Sequence, residues 1–331
     1  MGESTMRAYQ HSGIVPASGV LMTLGAGSLA AILLGVAYTF SFYYILYVYL
    51  NLLLTLAFGG AVGWVVGFVA REGKIRNVPV VGCLALAAAF IGIYAEWGTT
   101  AFALVPANQL GQQWRSLGLR PYLPHNVVAL AIELYKTGSW GMSANTTVHG
   151  PPLLALWLIE AGLIGAVAIA AAVHQIADVP FCEKCEEWVT RREPLLFAGN
   201  GYGKVWSDVQ HGVFESLAQT PRAAGNETTY VRVTVSDCPK CDESNFLSVV
   251  ACENRVNSKG QRYVVERKIA LNVPLTATQV EIVAAAATIA PAIGTPPEFV
   301  HAPPGDWTPR LPATTPGPET SEQWQPVTSD K

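Results

Sequence analysis

The sequence predicts an α-helical membrane bundle of about four transmembrane helices, followed by a small α+β, zinc-ribbon-like domain and a disordered Pro-rich tail. Three observations carry that reading. Of 331 residues, 50 % are apolar and only 14 % are charged, against roughly 25 % charged in soluble domains. The charges are also segregated: residues 1–175 hold 7 basic and 5 acidic side chains, residues 176–331 hold 14 and 19. Finally, four of the six cysteines form two Cys-x-x-Cys pairs in the charged half. One half suits lipid and the other suits water, which excludes a single soluble globule. A formal net charge of −3 provides no basic face to neutralise phosphates, so no nucleic-acid partner is expected.

The spans follow in order. Residues 1–23 form an N-terminal cytoplasmic segment. Gly25 to Ala70 are 46 consecutive uncharged, mostly apolar positions, about twice the length a helix needs to cross a ~30 Å hydrocarbon core. The chain must cross, turn and return. Asn51 is the strongly polar side chain near the midpoint and marks the expected turn, giving helices at 24–48 and 51–70. A signal peptide is excluded for the first, because no small-residue cleavage site followed by polar chain comes after it. A third span runs over 78–97, ending at Glu96-Trp97, and a fourth over 152–174; the transmembrane domain as a whole covers 24–175. The short loop Arg71-Glu72-Gly73-Lys74-Ile75-Arg76 carries three cations, and the positive-inside rule places it in the cytoplasm. Four spans then put both termini there, in a multi-pass membrane protein with residues 98–151 as the outer loop.

Within the bundle, Gly59, Gly63 and Gly67 recur every four residues on one ridge. Small-xxx-small spacing lets helix backbones approach closely. Packing inside one chain is the preferred account of this ridge and a homo-oligomer contact the alternative. Glu160, in Leu158-Ile159-Glu160-Ala161-Gly162, is the one charge read inside a span. A carboxylate there costs a few kcal/mol on insertion scales unless paired, protonated or facing water. It is either a proton or cation site or a residue near the outer interface bonding a neighbouring helix. The outer loop holds a short helix at 126–135, stopped by Gly138. His125, Glu133 and His149 stand in that loop at spacings that match no motif and read as solvated.

The metal-ligating residues lie in the 176–290 domain: Cys182, Cys185, Cys238 and Cys241. Each Cys-x-x-Cys turn sets two thiolates on one side of a tight knuckle, and two knuckles together make a tetrahedral sulfur cage at about 2.3 Å, suited to structural Zn2+. The 52 residues between the pairs exceed the common spacing of about 15–20, so an inserted substructure bridges them, including a helix near Ser207 to Gln219. Strands are expected over 229–235, 246–253 and 263–271, with Asn257-Ser258-Lys259-Gly260 as the turn between the last two. Disulfides are disfavoured in a reducing cytosol, and a thioredoxin-type pair lacks its βαβ context. Rubredoxin-like iron would use the same ligands, a choice that metal analysis makes. Cys83 and Cys252 read as buried small residues. Thr276 to Ala290 forms a helix, with capping-box spacing at Thr276-Ala277-Thr278-Gln279 and again at Thr278–Glu281. From Pro291 onward there are 10 prolines in 41 residues, and 291–331 cannot bury enough surface to order itself.

Tyr49-Leu50-Asn51-Leu52-Leu53-Leu54-Thr55-Leu56, Gly73-Lys74-Ile75-Arg76-Asn77, Gly138-Ser139-Trp140-Gly141, Trp157-Leu158-Ile159-Glu160-Ala161 and Pro180-Phe181-Cys182 to Cys185 follow one another along the chain. In that order and spacing, over roughly residues 20 to 290, the chain resembles a family of bacterial multi-pass membrane proteins with a cytoplasmic Cys-x-x-Cys domain. The resemblance implies the topology and the first knuckle, and no activity. No nucleophile elbow, phosphate-cradling loop, dinucleotide fingerprint or His-Glu-x-x-His occurs. The expected function is therefore a membrane-anchored interaction or scaffold protein that docks a protein partner through its cytoplasmic zinc domain. A small transporter, channel or channel subunit using Glu160 is the alternative, and a membrane enzyme acting at the outer loop comes third.

Overall fold

The computed structural model describes residues 8–44, 48–103, 120–138, 140–143, 146–199, 207–208, 211–214, 217, 220–223, 227–288 and 300–301. Four of its helices are long and apolar enough to cross a membrane: α1 (Ala17–Tyr44), α2 (Val48–Glu72), α3 (Val78–Ala103) and, after α4 (Pro124–Thr137), α5 (Pro151–His174). Even the shortest, α5 with 24 residues, rises ~36 Å, more than the ~30 Å core requires. Their large side chains point away from the bundle: Leu33, Leu53, Trp64 and Phe90 are exposed. The interior is built instead from Ala31, Ala70, Ala85, Ala88, Ala89, Ala168 and Ala172, with Val62, Val66 and Phe58. Small residues inside and large ones outside is how helices pack when lipid, not water, surrounds them.

Several boundaries differ from the sequence reading. The first span starts at Ala17, inside the segment expected to precede it. Asn51 does not make the turn. It lies within α2 and is 9 % exposed, because a single amide can be accommodated between helices and does not by itself end one. The third span continues six residues past Trp97 to Ala103, so Glu96 is a second carboxylate inside a span. The loop helix is α4, with Pro124 in its first turn and Gly138 as C-cap at φ 89°, its N–H donating to Leu134 O. Tyr122 folds the loop back onto the bundle: its carbonyl accepts from Tyr94 Oη and its hydroxyl stands 3.0 Å from Thr99 Oγ1. A two-stranded hairpin, β1 (Trp140–Ser143) and β2 (Thr146–Val148), leads into α5.

Beyond α5 the chain builds a sheet-containing region. A two-stranded hairpin, β3 (Phe181–Cys182) with β4 (Glu187–Trp188), comes first. The larger sheet holds β5 (Thr190–Arg191), β6 (Leu195–Ala198), β7 (Thr229–Asp237), β8 (Asn245–Val256), β9 (Arg262–Leu275) and β10 (Val300–His301). β7, β8 and β9 form an antiparallel meander, β5 and β6 pair the other edge of β7, and β10 runs parallel to β9. The β8–β9 turn closes on Asn257, whose N–H donates to Gln261 O at 2.9 Å, with Gly260 at φ 76°. Alternation along β7 turns Val231, Val233 and Val235 into a core with Phe197, Phe214, Leu217, Leu247, Val249 and Val283. Val283 comes from α6 (Ala277–Thr288), whose start is a reciprocal capping box: Thr276 N–H donates to Gln279 Oε1 at 2.9 Å, and Gln279 N–H to Thr276 Oγ1 at 3.3 Å.

The helix expected over Ser207 to Gln219 does not form as one piece. Residues 207–208 are helical, but the chain turns at His211-Gly212, where Gly212 takes φ 74° and ends any continuous helix. Of the tail 291–331, Val300–His301 pair with Tyr263 and Val264; the rest of that expectation lies outside the described residues.

Candidate metal centre and the bundle carboxylates

The two knuckles meet because two hairpins present them to each other. The first, Cys182-Glu183-Lys184-Cys185, is the turn between β3 and β4. The second, Cys238-Pro239-Lys240-Cys241, is the connection between β7 and β8, closed where Cys238 N–H donates to Ser244 O at 3.1 Å. One sulfur from each of the four cysteines falls within 4.8 Å of all the others. Cys182 Sγ and Cys241 Sγ are 3.7 Å apart, close to the ~3.8 Å edge of a tetrahedron with 2.3 Å metal–sulfur bonds. None of the six cysteines is disulfide-bonded.

The donors around the sulfurs fit a thiolate cage. Cys185 N–H points at Cys182 Sγ at 3.4 Å, Lys240 N–H at Cys238 Sγ at 3.5 Å, and the Ser244 hydroxyl at Cys182 Sγ at 3.1 Å. Burial alone would raise the Cys182 thiol, but the bonds from Ser244, the Cys185 N–H and the other thiols bring it down to about 7. Cys185, bonded to Cys241 and partly desolvated beside the Cys182 thiolate, is pushed up to about 12. Ionising one sulfur suppresses the next, which is the electrostatic problem that a divalent cation resolves. Lys184 pairs with Glu243, and Lys240 with Glu187, so each knuckle's lysine holds a carboxylate belonging to the other side of the site.

The first knuckle is also fastened to the bundle. Glu183 pairs with Arg76, a residue only 7 % exposed whose guanidinium carbon lies 4.4 Å from the Phe181 ring centroid. Lys74 pairs with Glu186 at 3.7 Å, and Trp188 Nε1–H donates to Arg71 O at 2.7 Å. The segment 8–16, which showed no signal in the sequence, threads the same junction. Tyr9 N–H donates to Asn272 O at 2.9 Å, Phe181 N–H donates to Tyr9 Oη at 3.2 Å, and Arg76 N–H donates to Ile14 O at 2.9 Å.

In the bundle, the three glycines of α2 lie against α5. A Cβ on Gly59 would stand 2.7 Å from Ile164 O, one on Gly63 2.1 Å from Ala168 O, and one on Gly67 2.8 Å from Ala172 O. Glu160 faces inward: Tyr38 Oη donates to its Oε1 and also stands 2.9 Å from Thr55 Oγ1. Glu96, which sequence reasoning left at a span's end, lines the same cavity of about 200 Å3. The signal that would have found it is the uncharged continuation Gly98 to Ala103, which extends the span past it. Cys83 is exposed on α3 and Cys252 is buried in β8. His125, Glu133 and His149 are exposed, and no metal-holding group among the described residues includes them.

No protein family, curated protein or solved structure matches the chain in any of three comparisons.

Proposed function

We propose that the chain is a membrane-anchored scaffold: a four-helix anchor whose cytoplasmic, zinc-ribbon-like domain is held by structural Zn2+ and docks a protein partner. The observation that carries this reading is the gathering of four cysteine sulfurs within 4.8 Å of one another by two hairpins distant in sequence. Four thiolates close the coordination shell and leave no open position for catalysis, which favours a structural metal. Zinc is favoured over a disulfide pair by the free thiols and by a cytoplasmic location, which the cations Arg71, Lys74 and Arg76 beside the first knuckle support. In this reading the protein resides in the bacterial inner membrane with both termini in the cytoplasm. The test is capture of partners from native membranes with the native chain, Cys238→Ser and Glu160→Gln. A partner held by the native chain and Glu160→Gln but lost by Cys238→Ser supports docking; the reverse pattern contradicts it.

A second reading, a small transporter or channel subunit, is favoured by one observation, the inward carboxylates Glu160 and Glu96 on a common cavity. Its test is proton or cation flux into proteoliposomes, abolished by Glu160→Gln.

A further inference from the structure

We propose that the cavity between α1, α2, α3 and α5 binds a small organic ammonium ion, with Glu96 and Glu160 as counter-charges and aromatic rings as walls. This names an occupant for the second reading above and rests on it for biological meaning, but not for the binding itself. The cavity lies at the end of the bundle remote from the sheet and holds about 200 Å3. It is lined by both carboxylates, by Tyr38, Phe58, Trp97 and Trp157, and otherwise by Ile93, Leu158, Ala161 and Ile164.

The charge balance comes first. No Lys, Arg or His lines the cavity. Glu160 is met by the Tyr38 hydroxyl and Glu96 by Thr100 Oγ1 at 3.3 Å; among the described residues no cation pairs with either. Two carboxylates inside a helix bundle without a cation are costly to leave charged. On the same face of α2 as Thr55 and Phe58, Asn51 is 9 % exposed and its Oδ1 has no hydrogen-bond partner, although it is not one of the residues lining the cavity.

The walls then choose among cations. A hard metal ion asks for about six or more oxygens, whereas this lining offers two carboxylates and a phenol already engaged with Thr55 and Glu160. It offers rings in abundance. Trp97 and Trp157 meet edge to face with centroids 4.9 Å apart, and Tyr38 stacks on Phe58 at 5.1 Å. Aromatic faces with a carboxylate recognise an ammonium that carries its own apolar skirt. At ~30 Å3 for each water, the volume far exceeds that of a bare ion.

The test uses the full chain in detergent and tetraethylammonium as probe, against sodium at equal ionic strength. The expected result is saturable binding, read by tryptophan emission and calorimetry, that weakens about tenfold or more in Glu160→Gln and in Glu96→Gln and is retained in Glu160→Asp. Gel filtration and melting of each variant separate lost binding from lost folding. On the native chain, labelling of Glu160 and Glu96 by a hydrophobic carbodiimide is expected to be protected by tetraethylammonium and not by sodium. Absence of saturable binding, unchanged affinity in both Gln variants, or labelling that responds to pH but not to the ammonium (a proton-only site) overturns the proposal. Proton flux that persists without ammonium binding leaves the transport reading standing; binding without flux removes that reading and keeps the site.

Discussion

The two halves of this chain are packed in opposite senses. In the bundle the interior is rich in alanine, with valines and Phe58 among it, whereas Leu33, Leu53, Trp64 and Phe90 face outward. In the sheet region Phe197, Phe214, Leu217 and Leu247 are central, and the charged side chains lie at the surface. Water drives large apolar groups inward because exposing them is unfavourable. Lipid supplies no such drive, so helices gain from close backbone approach, and small residues permit it. The same substitution therefore has different consequences on the two sides of the Arg71–Arg76 junction.

The largest expected effect lies at the junction itself. Structural zinc in small peptides contributes an apparent ~10–16 kcal/mol. Cys238→Ser, or a chelator applied to the native chain, should therefore release β3–β4 and the β7–β8 connection while α2 and α5 stay intact. Hydrogen exchange checks this: amides at 181–191 and 236–246 lose protection, and those of 56–68 keep theirs. Because thiolates compete with protons for the metal, zinc affinity should fall as the pH is lowered, read as a lower zinc content after equilibration in acidic buffer.

Next come the cores. Phe197→Ala, at a fully buried position, should cost about 3–5 kcal/mol in the sheet region, read as a lowered denaturant midpoint of its unfolding transition. In the bundle the sensitive change runs the other way. Gly63→Ala would set a Cβ 2.1 Å from Ala168 O; overpacking of this kind costs about 1–3 kcal/mol and should lower the melting temperature in detergent.

Two smaller effects close the series. Thr276→Ala removes one arm of the capping box and should cost about 1 kcal/mol of sheet-region stability. Leu33→Ala, on the lipid face of α1, should stay within about 0.5 kcal/mol. A Leu33 effect as large as that of Phe197 would break the contrast between the halves.

What the sequence revealed follows the same division. The spans were readable because charge is excluded from hydrocarbon, so long uncharged stretches announce them. Their ends were not: Ala17 to Gly25 and Gly98 to Ala103 are uncharged but only moderately apolar, and composition marks no edge there. Asn51 misled because a polar residue in an apolar run looks like a turn, although it can equally be a buried group in want of a partner. In the sheet region β7 was legible from alternation, β8 and β9 from the strand runs flanking the Asn257–Gly260 turn, and α6 from its capping residues. β3, β4 and β5, with two residues each, are too short to show any period. The cysteine spacing pointed to four residues whose sulfurs the fold does bring together. It carried no information about Arg76, Lys74 and the 8–16 strap, which dock the first knuckle onto the helices. That docking depends on pairs between residues more than a hundred positions apart, and no local pattern records them.

The central claim is that the four converging cysteines hold zinc. Elemental analysis of the full chain, purified in detergent without added metal, tests it most directly. About one zinc per chain, lost together with the 181–191 protection in Cys238→Ser, is the predicted result. A zinc content far below one per chain in a folded, monodisperse preparation, or iron in its place, contradicts it.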